Sequence, residues 1–191
     1  MMIREKISLS IHEMTVVAMM VAIIAILGAV PGIPLGFIPV PIVLQNMGII
    51  IAGELLGPRL GTITVWLFVF LVVLGLPLLS GGRGGIMTVL GPTGGYIFAW
   101  LFVPLLIGLS LKFSCFNGMT QEITEFLIVW LWGVIFAEGV GAIWLANQLH
   151  TTFISALASN ILFVFGDTIK ALIAVSITRC LRHIKVVSFR R

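Results

Sequence analysis

Two residues of opposite charge, Asp167 and Lys170, stand three positions apart in an apolar segment near the C-terminus. Residues with this spacing share one face of a helix, so the carboxylate and the ammonium can meet. An ionisable side chain within a membrane segment costs at least about 2.5 kcal/mol at the bilayer centre, which makes both residues functional candidates. Either Asp167 caps its helix and Lys170 neutralises it, or both side chains point into a cavity. In a cavity, Lys170 could pair with a carboxylate or carbonyl oxygen of a ligand, and Asp167 could accept its N–H donors.

Other polar residues in apolar surroundings are candidate ligand contacts, and each has a structural alternative. Arg83 lies between glycines in a loop, where it could contact a ligand or be solvated. Tyr96 could line a site or belong to an aromatic belt at the membrane interface. Glu138 lies in an apolar segment and could be protonated, paired or near a cavity. Amide side chains that could either contact a ligand or join helices by hydrogen bonds occur at Gln45, Asn46 and Asn160.

The sequence lacks the arrangements that are typical of catalysis and metal binding. It has no His-x-x-x-His, Gly-x-Ser-x-Gly or paired intramembrane aspartates, and its histidines lie near segment ends. Cys115 and Cys180 are far apart, which favours neither a disulfide scaffold nor a metal site. No Walker A motif is present, so any ATP hydrolysis would belong to a partner. We therefore expect no enzyme activity, no cofactor and no bound metal.

Composition indicates that these residues belong to an integral membrane protein. Of the 191 residues, 60% are hydrophobic and 9% are charged, and the mean hydropathy is +1.21. Soluble domains are about 45–50% apolar and about 25% charged. Six helices of roughly 20 residues would use about two thirds of the chain. We predict an all-α membrane domain over residues 1–191, with short loops and without a cleaved signal peptide.

Glycine and proline clusters divide the chain into six predicted membrane helices and one short loop helix. The Gly57-Pro58-Arg59 cluster separates the second helix from the third. The Gly166-Asp167 pair is predicted to break the final apolar stretch, because glycine disrupts helices and aspartate caps them. The predicted membrane helices cover about residues 14–30, 42–56, 61–76, 94–111, 123–145 and 168–184, and the loop helix about 152–163.

The distribution of basic residues predicts the orientation. Nine of the 11 lysines and arginines fall on the side of the two termini, Arg83 is the only one in the opposite loops, and Lys170 lies within a helix. This asymmetry places both termini in the cytoplasm, and the basic C-terminal cluster indicates cytoplasmic anchoring rather than nucleic-acid binding. The outer loops are apolar and rich in glycine and proline. Because such backbone is tolerated at membrane depth only where protein buries it or a cavity adjoins it, we expect a ligand cavity beneath them.

Small residues form a stripe on the first predicted helix, at Ala18, Ala22 and Ala25. Small side chains allow helices to approach closely. The stripe could pack inside this protein or dock onto another one.

Five stretches of the sequence resemble the motifs of one known protein family and occur in the same order, and the resemblance covers nearly the whole chain. Two of them are the Gly81-Gly82-x-Gly84-Gly85 loop and the segment Gly166-Asp167-Thr168-Ile169-Lys170. The others are IPVPIVLQNMG at 38–48, AG to LGPR over 52–59 and LGPTGGY at 90–96. With these motifs the sequence resembles the BioY family, the biotin-specific S components of energy-coupling factor (ECF) vitamin transporters.

The resemblance implies a six-helix S-component fold in a bacterial-type cell membrane, with the vitamin near the outer face. Asp167 and Lys170 match the family's binding pair, and Ala18-x-x-x-Ala22 matches the motif that docks on the membrane coupling subunit (EcfT type). Two ABC-type ATPase subunits would then hydrolyse ATP. Arg83 stands where we expect asparagine in close relatives, so it either contacts a carboxylate or has left the site.

Biotin suits such a site because it combines ureido N–H donors and a carbonyl with an apolar ring and a carboxylate tail. Lys170 could meet either the ureido oxygen or the tail. The expected ligand contacts are Asp167, Lys170, Arg83, Tyr96, Gln45 and Asn160. The alternatives are an S component for another vitamin, a stand-alone channel or carrier, and an intramembrane enzyme, since fold alone does not choose between ligands.

Overall fold

The computed structural model describes residues 9–34, 39–114 and 119–183. Apart from two isolated β-bridges, regular structure in these ranges is helical, and five stretches are long and apolar enough to cross a membrane. The predicted all-α membrane protein is therefore confirmed. The helices are α1 (Ile11–Ala29), α2 (Gln45–Val73), α3 (Ile86–Leu90), α4 (Gly94–Trp100), α5 (Val103–Phe113), α6 (Met119–Trp130), a π-helical turn (Leu131–Phe136), α7 (Ala137–Leu149), α8 (Phe153–Ser159) and α9 (Ile161–His183).

Helix α2 consists of two limbs, residues 45–56 and 58–73, that meet at Gly57. Gly57 has φ 75° and ψ −175°, a conformation that glycine adopts without a steric penalty. The limbs are antiparallel, because the backbone N–H of Ser80, beyond the second limb, donates to Gln45 Oε1 at the start of the first (3.1 Å). The predicted separation of two helices at this cluster therefore occurs. Six membrane crossings and cytoplasmic termini stay predictions.

Close packing around α2 depends on glycines that lie against backbone. A Cβ at Gly53 would lie 2.7 Å from the Cα of Pro104, and a Cβ at Gly108 would lie 2.4 Å from the nitrogen of Pro58. Both distances are too short for a real side chain. The absence of these two side chains allows α5 to pack directly against α2, as is common between membrane helices.

Helix α9 differs from its prediction. It begins at Ile161 and continues through the Gly166-Asp167 pair, where we predicted a break, so that prediction is wrong. The interruption lies at Asn160, between α8 and α9. Glycine costs a helix only about 1 kcal/mol, and the Asp167 carboxylate bonds to other side chains instead of capping a helix end.

The predicted outer loops converge at one end of the bundle. The segment before α2 is tied to itself by two hydrogen bonds between Ile33 and Ile42, of 2.9 and 3.0 Å. Ser80 Oγ donates to Val30 O (3.2 Å), which joins the loop after α2 to the end of α1. Trp144 Nε1 donates to Gly91 O (2.9 Å), which attaches the loop before α4 to α7. Together these loops cover the end of the bundle where the polar residues of α9 lie.

Candidate ligand-binding site

A cavity lies beneath these loops, between α2, α4, α7 and α9. Its atom-free space, which includes the opening to solvent, is about 590 Å³. Most of the lining is apolar, with a few polar side chains among it. The lining residues are Val40, Pro41, Val43, Gln45, Asn46, Leu79, Ser80, Arg83, Thr93, Tyr96, Ile97, Trp100, Ala137, Glu138, Phe163 and Asp167.

The Asp167–Lys170 pair from α9 forms the polar base of this cavity. Lys170 Nζ lies 2.5 Å from Asp167 Oδ1 and donates to the backbone oxygen of Val43 (2.7 Å). Both side chains are buried, with less than a tenth of their surface exposed. Asp167 lines the cavity, whereas Lys170 lies behind it. Removing two charges from water is costly unless further hydrogen bonds satisfy them, and here Val43 and Asn46 supply those bonds.

Asn46 connects the pair to the π-helical turn. Its Nδ2 donates to Asp167 Oδ2 and to the backbone oxygen of Gly133, 3.2 Å away within the turn. Its Oδ1 is buried and has no hydrogen-bond partner among the described residues. Single turns of π-helix are frequent at functional sites, and this one immediately precedes Ala137 and Glu138, which line the cavity.

Glu138, Tyr96 and Asn160 form a second polar group at the cavity. The Tyr96 hydroxyl donates to Asn160 Oδ1 (3.1 Å), and Asn160 Nδ2 donates to the backbone oxygen of Glu138 (3.2 Å). Tyr96 is buried against Phe163, so it does not belong to an interfacial belt. Asn160 lies behind Tyr96 and does not line the cavity. Glu138 Oε2 is buried without a partner in the described part of the chain.

Gln45 and Arg83 belong to the loop side of the cavity. Gln45 accepts from Ser80 and donates to the backbone oxygens of Leu78 (3.0 Å) and Ile24 (3.4 Å), so its amide joins α1, α2 and the following loop. Arg83 is exposed, and its Nε donates to the backbone oxygen of Ser80 (3.1 Å). Among the described residues that line the cavity, Arg83 alone is positively charged.

The structure thus brings four of the six predicted contacts, Asp167, Arg83, Tyr96 and Gln45, into the cavity lining. The other two, Lys170 and Asn160, lie directly behind it. The expected contacts leave out Asn46 and Glu138, although a polar residue within an apolar segment is a usable signal. Apolar walls such as Trp100 and Phe163 carried no signal at all.

Ala18 and Ala22 lie on α1 and do not line the cavity. Both are exposed, whereas Val17 and Val21 beside them are buried, so these two positions are not used for packing within the described residues. Ala25, the third residue of the stripe, is half-buried and packs against the core. No group of three or more His, Cys, Asp or Glu residues suited to a metal ion occurs in ranges 9–34, 39–114 and 119–183.

Several known proteins are similar to this chain over about nine tenths of its length. A model of the BioY family matches residues 2–186. A biotin transporter BioY of Lactococcus lactis subsp. cremoris (strain MG1363) is 52% identical over 172 residues, covering 90% of this chain and 91% of that protein. A biotin transporter BioY of Rhizobium etli is 37% identical over 174 residues, covering 90% and 93%. A crystal structure of the S-component for biotin from an ECF-type ABC transporter has a TM-score of 0.85 at 49% identity, covering 92% of this chain and 95% of that one.

Proposed function

This chain belongs to the BioY family, and on that premise we propose that it captures biotin as the substrate-binding S component of an ECF-type vitamin transporter. Its role is transport rather than the catalysis of a chemical reaction. The proposal extends to this chain the ligand and the assembly that are named for its relatives.

One observation carries the proposal: a largely apolar cavity has buried, unpaired acceptors at one end. Asn46 Oδ1 and Glu138 Oε2 lack donors among the described residues, and the Asp167 carboxylate lies beside them. Biotin offers N–H donors on its ureido ring, and its sulfur ring and chain are apolar. A buried acceptor without a donor costs about 1–3 kcal/mol, so binding a ligand with N–H donors removes that cost. We assign Asp167 to the lining and Lys170 to the support of that carboxylate.

We further propose that the protein acts in the cell membrane of a bacterium, with both termini in the cytoplasm. Its partners would be a membrane coupling subunit (EcfT type) and two ABC-type ATPase subunits, because this chain carries no ATP-binding motif. The exposed positions Ala18 and Ala22 support docking through α1, since small exposed residues allow a partner helix to approach closely.

Calorimetric titration of the purified full chain tests the ligand assignment. We expect biotin to bind and other water-soluble vitamins, such as thiamine and riboflavin, to fail to displace it. Asp167→Asn and Lys170→Ala should each weaken biotin binding by at least about tenfold, because each leaves its buried partner unpaired. Lys112→Ala is the matched control, since Lys112 is exposed at the far end of α5.

Each result separates one alternative from the rest. Unchanged biotin binding in both site variants would remove the site assignment, and binding of a different vitamin instead of biotin would indicate another S-component specificity. Net biotin uptake into liposomes that contain this protein alone, without ATP, would favour a stand-alone carrier.

A further inference from the structure

We propose that Trp130, which does not line the cavity, is a positioning residue for biotin capture. Its hydrogen bond to Thr168 holds the π-helical turn (Leu131–Phe136) against α9 and keeps the neighbouring Asp167 carboxylate in place. This inference rests on the proposed function and gives a role to an element outside the ligand site.

Two tryptophans attach the π-helical turn to two different helices. Trp130, the last residue of α6, donates from Nε1 to Thr168 Oγ1 of α9 (2.9 Å). Trp132, within the turn, donates from Nε1 to Ser110 Oγ of α5 (2.9 Å). A π-helical turn is a rare departure from the regular α-helix. We therefore infer that contacts with other helices, such as these two bonds, keep the turn in this conformation.

The bond of Trp130 completes a closed ring that contains Asp167. Thr168 directly follows Asp167 in α9. The Asp167 carboxylate accepts from the Asn46 side chain, whose Nδ2 also donates to the backbone oxygen of Gly133 in the turn. From Gly133 the backbone leads back to Trp130 over a short stretch. The turn and Asp167 are therefore joined by two routes, one through Asn46 in the cavity lining and one through Trp130 outside it.

Thr168 is suited to accept the indole N–H. Its Oγ1 donates its only proton to the backbone oxygen of Val164 (2.6 Å), which leaves the lone pairs of the hydroxyl for Trp130. Without this bond, α9 would be free to shift against the turn, and Asp167 would spend less time in its binding position. The apparent Kd of a ligand rises as the binding-competent fraction of the protein falls.

The second tryptophan provides a matched control in the same element. The Trp132–Ser110 bond has the same donor group, a hydroxyl acceptor and the same length as the bond of Trp130, and both tryptophans are half-buried. It leads to α5, none of whose described residues lines the cavity. If these bonds only stabilise the fold, both tryptophans should give the same result, whereas a positioning role predicts different results.

The test titrates biotin into the purified full chain in detergent, for the wild type, Trp130→Phe and Trp132→Phe. Each variant loses one indole N–H and keeps an aromatic ring. We expect Trp130→Phe to raise the Kd for biotin by about three- to tenfold, which corresponds to the net contribution of one hydrogen bond. Trp132→Phe should keep the Kd within about twofold of the wild type, although both variants should lose similar stability towards SDS.

Substitutions of the acceptor examine the same bond from its other side. Thr168→Val removes the hydroxyl, whereas Thr168→Ser keeps it. Thr168→Val should weaken biotin binding as Trp130→Phe does, and Thr168→Ser should bind like the wild type. Adding Thr168→Val to Trp130→Phe should cause no further loss of affinity, because both substitutions remove the same bond.

The outcomes distinguish this inference from the function on which it rests. If the wild type does not bind biotin, the proposed function fails, and the positioning role fails with it. If the wild type binds biotin but Trp130→Phe leaves the Kd unchanged, or Trp132→Phe raises it as much, the positioning role is refuted while the function stands. Equal loss of binding in Thr168→Ser and Thr168→Val would also refute it.

Discussion

The buried pair of Asp167 and Lys170 allows a sharp prediction about stability. Lys170→Met would remove the ammonium while keeping most of the side-chain volume. The change leaves the Asp167 carboxylate with the side chains of Asn46 and Glu138 as its hydrogen-bond partners, and it leaves the backbone oxygen of Val43 without its 2.7 Å donor. Breaking one partner out of a buried ion pair costs about 3–5 kcal/mol, because the other charge stays buried and uncompensated.

The double variant Asp167→Asn/Lys170→Met provides the matched comparison. It removes both charges and keeps an amide that can still bond to Asn46. Replacing a whole buried pair by uncharged groups of similar volume is often close to neutral. We therefore expect the double variant to recover most of the stability that the single variant loses, with a difference of at least about 2 kcal/mol between them.

Unfolding of the purified protein in mixed micelles by increasing SDS measures both variants against the wild type. Loss of helical circular dichroism follows the transition, and Lys112→Met controls for the removal of an exposed lysine. A single variant as stable as the double variant would show that Asp167 does not depend on Lys170, and the reasoning about this pair would be wrong.

Three further predictions concern residues outside the cavity. Gly108→Ala should destabilise the fold by about 1–3 kcal/mol, because its Cβ would lie 2.4 Å from the nitrogen of Pro58, whereas Gly139→Ala has open space and should be neutral or stabilising in the same SDS titration. Arg182→Gln should cost on the order of 3 kcal/mol without changing the Kd for biotin, because Arg182 bonds to Glu125 and to the backbone oxygen of the buried Glu54 at the far end of the bundle. Ala22→Trp should abolish co-purification of the coupling subunit while biotin binding persists. The control variant Leu172→Trp, at an exposed position of α9, should leave co-purification intact. Retained co-purification with Ala22→Trp would exclude this face of α1 as the docking surface.

The sequence by itself determined that the protein lies in lipid, that its fold is all-helical and where helix α2 is interrupted. These properties depend on composition or on neighbouring residues alone. A chain with 60% hydrophobic residues requires a lipid environment. The Gly57-Pro58 cluster interrupts α2 through local backbone geometry, whatever the tertiary contacts. The spacing of Asp167 and Lys170 likewise placed them on one helix face, because that geometry depends only on the helical period.

Tertiary structure decided which residues meet and where the last helix begins. Asn46 reaches Asp167 across 121 positions, and no local pattern encodes that contact. The helix continues through Gly166 because packing and the bonds of Asp167 outweigh a local preference of about 1 kcal/mol. The same packing puts Glu138 in the cavity lining and Lys170 behind it, since only the arrangement of α2, α7 and α9 decides which polar atoms face the space between them.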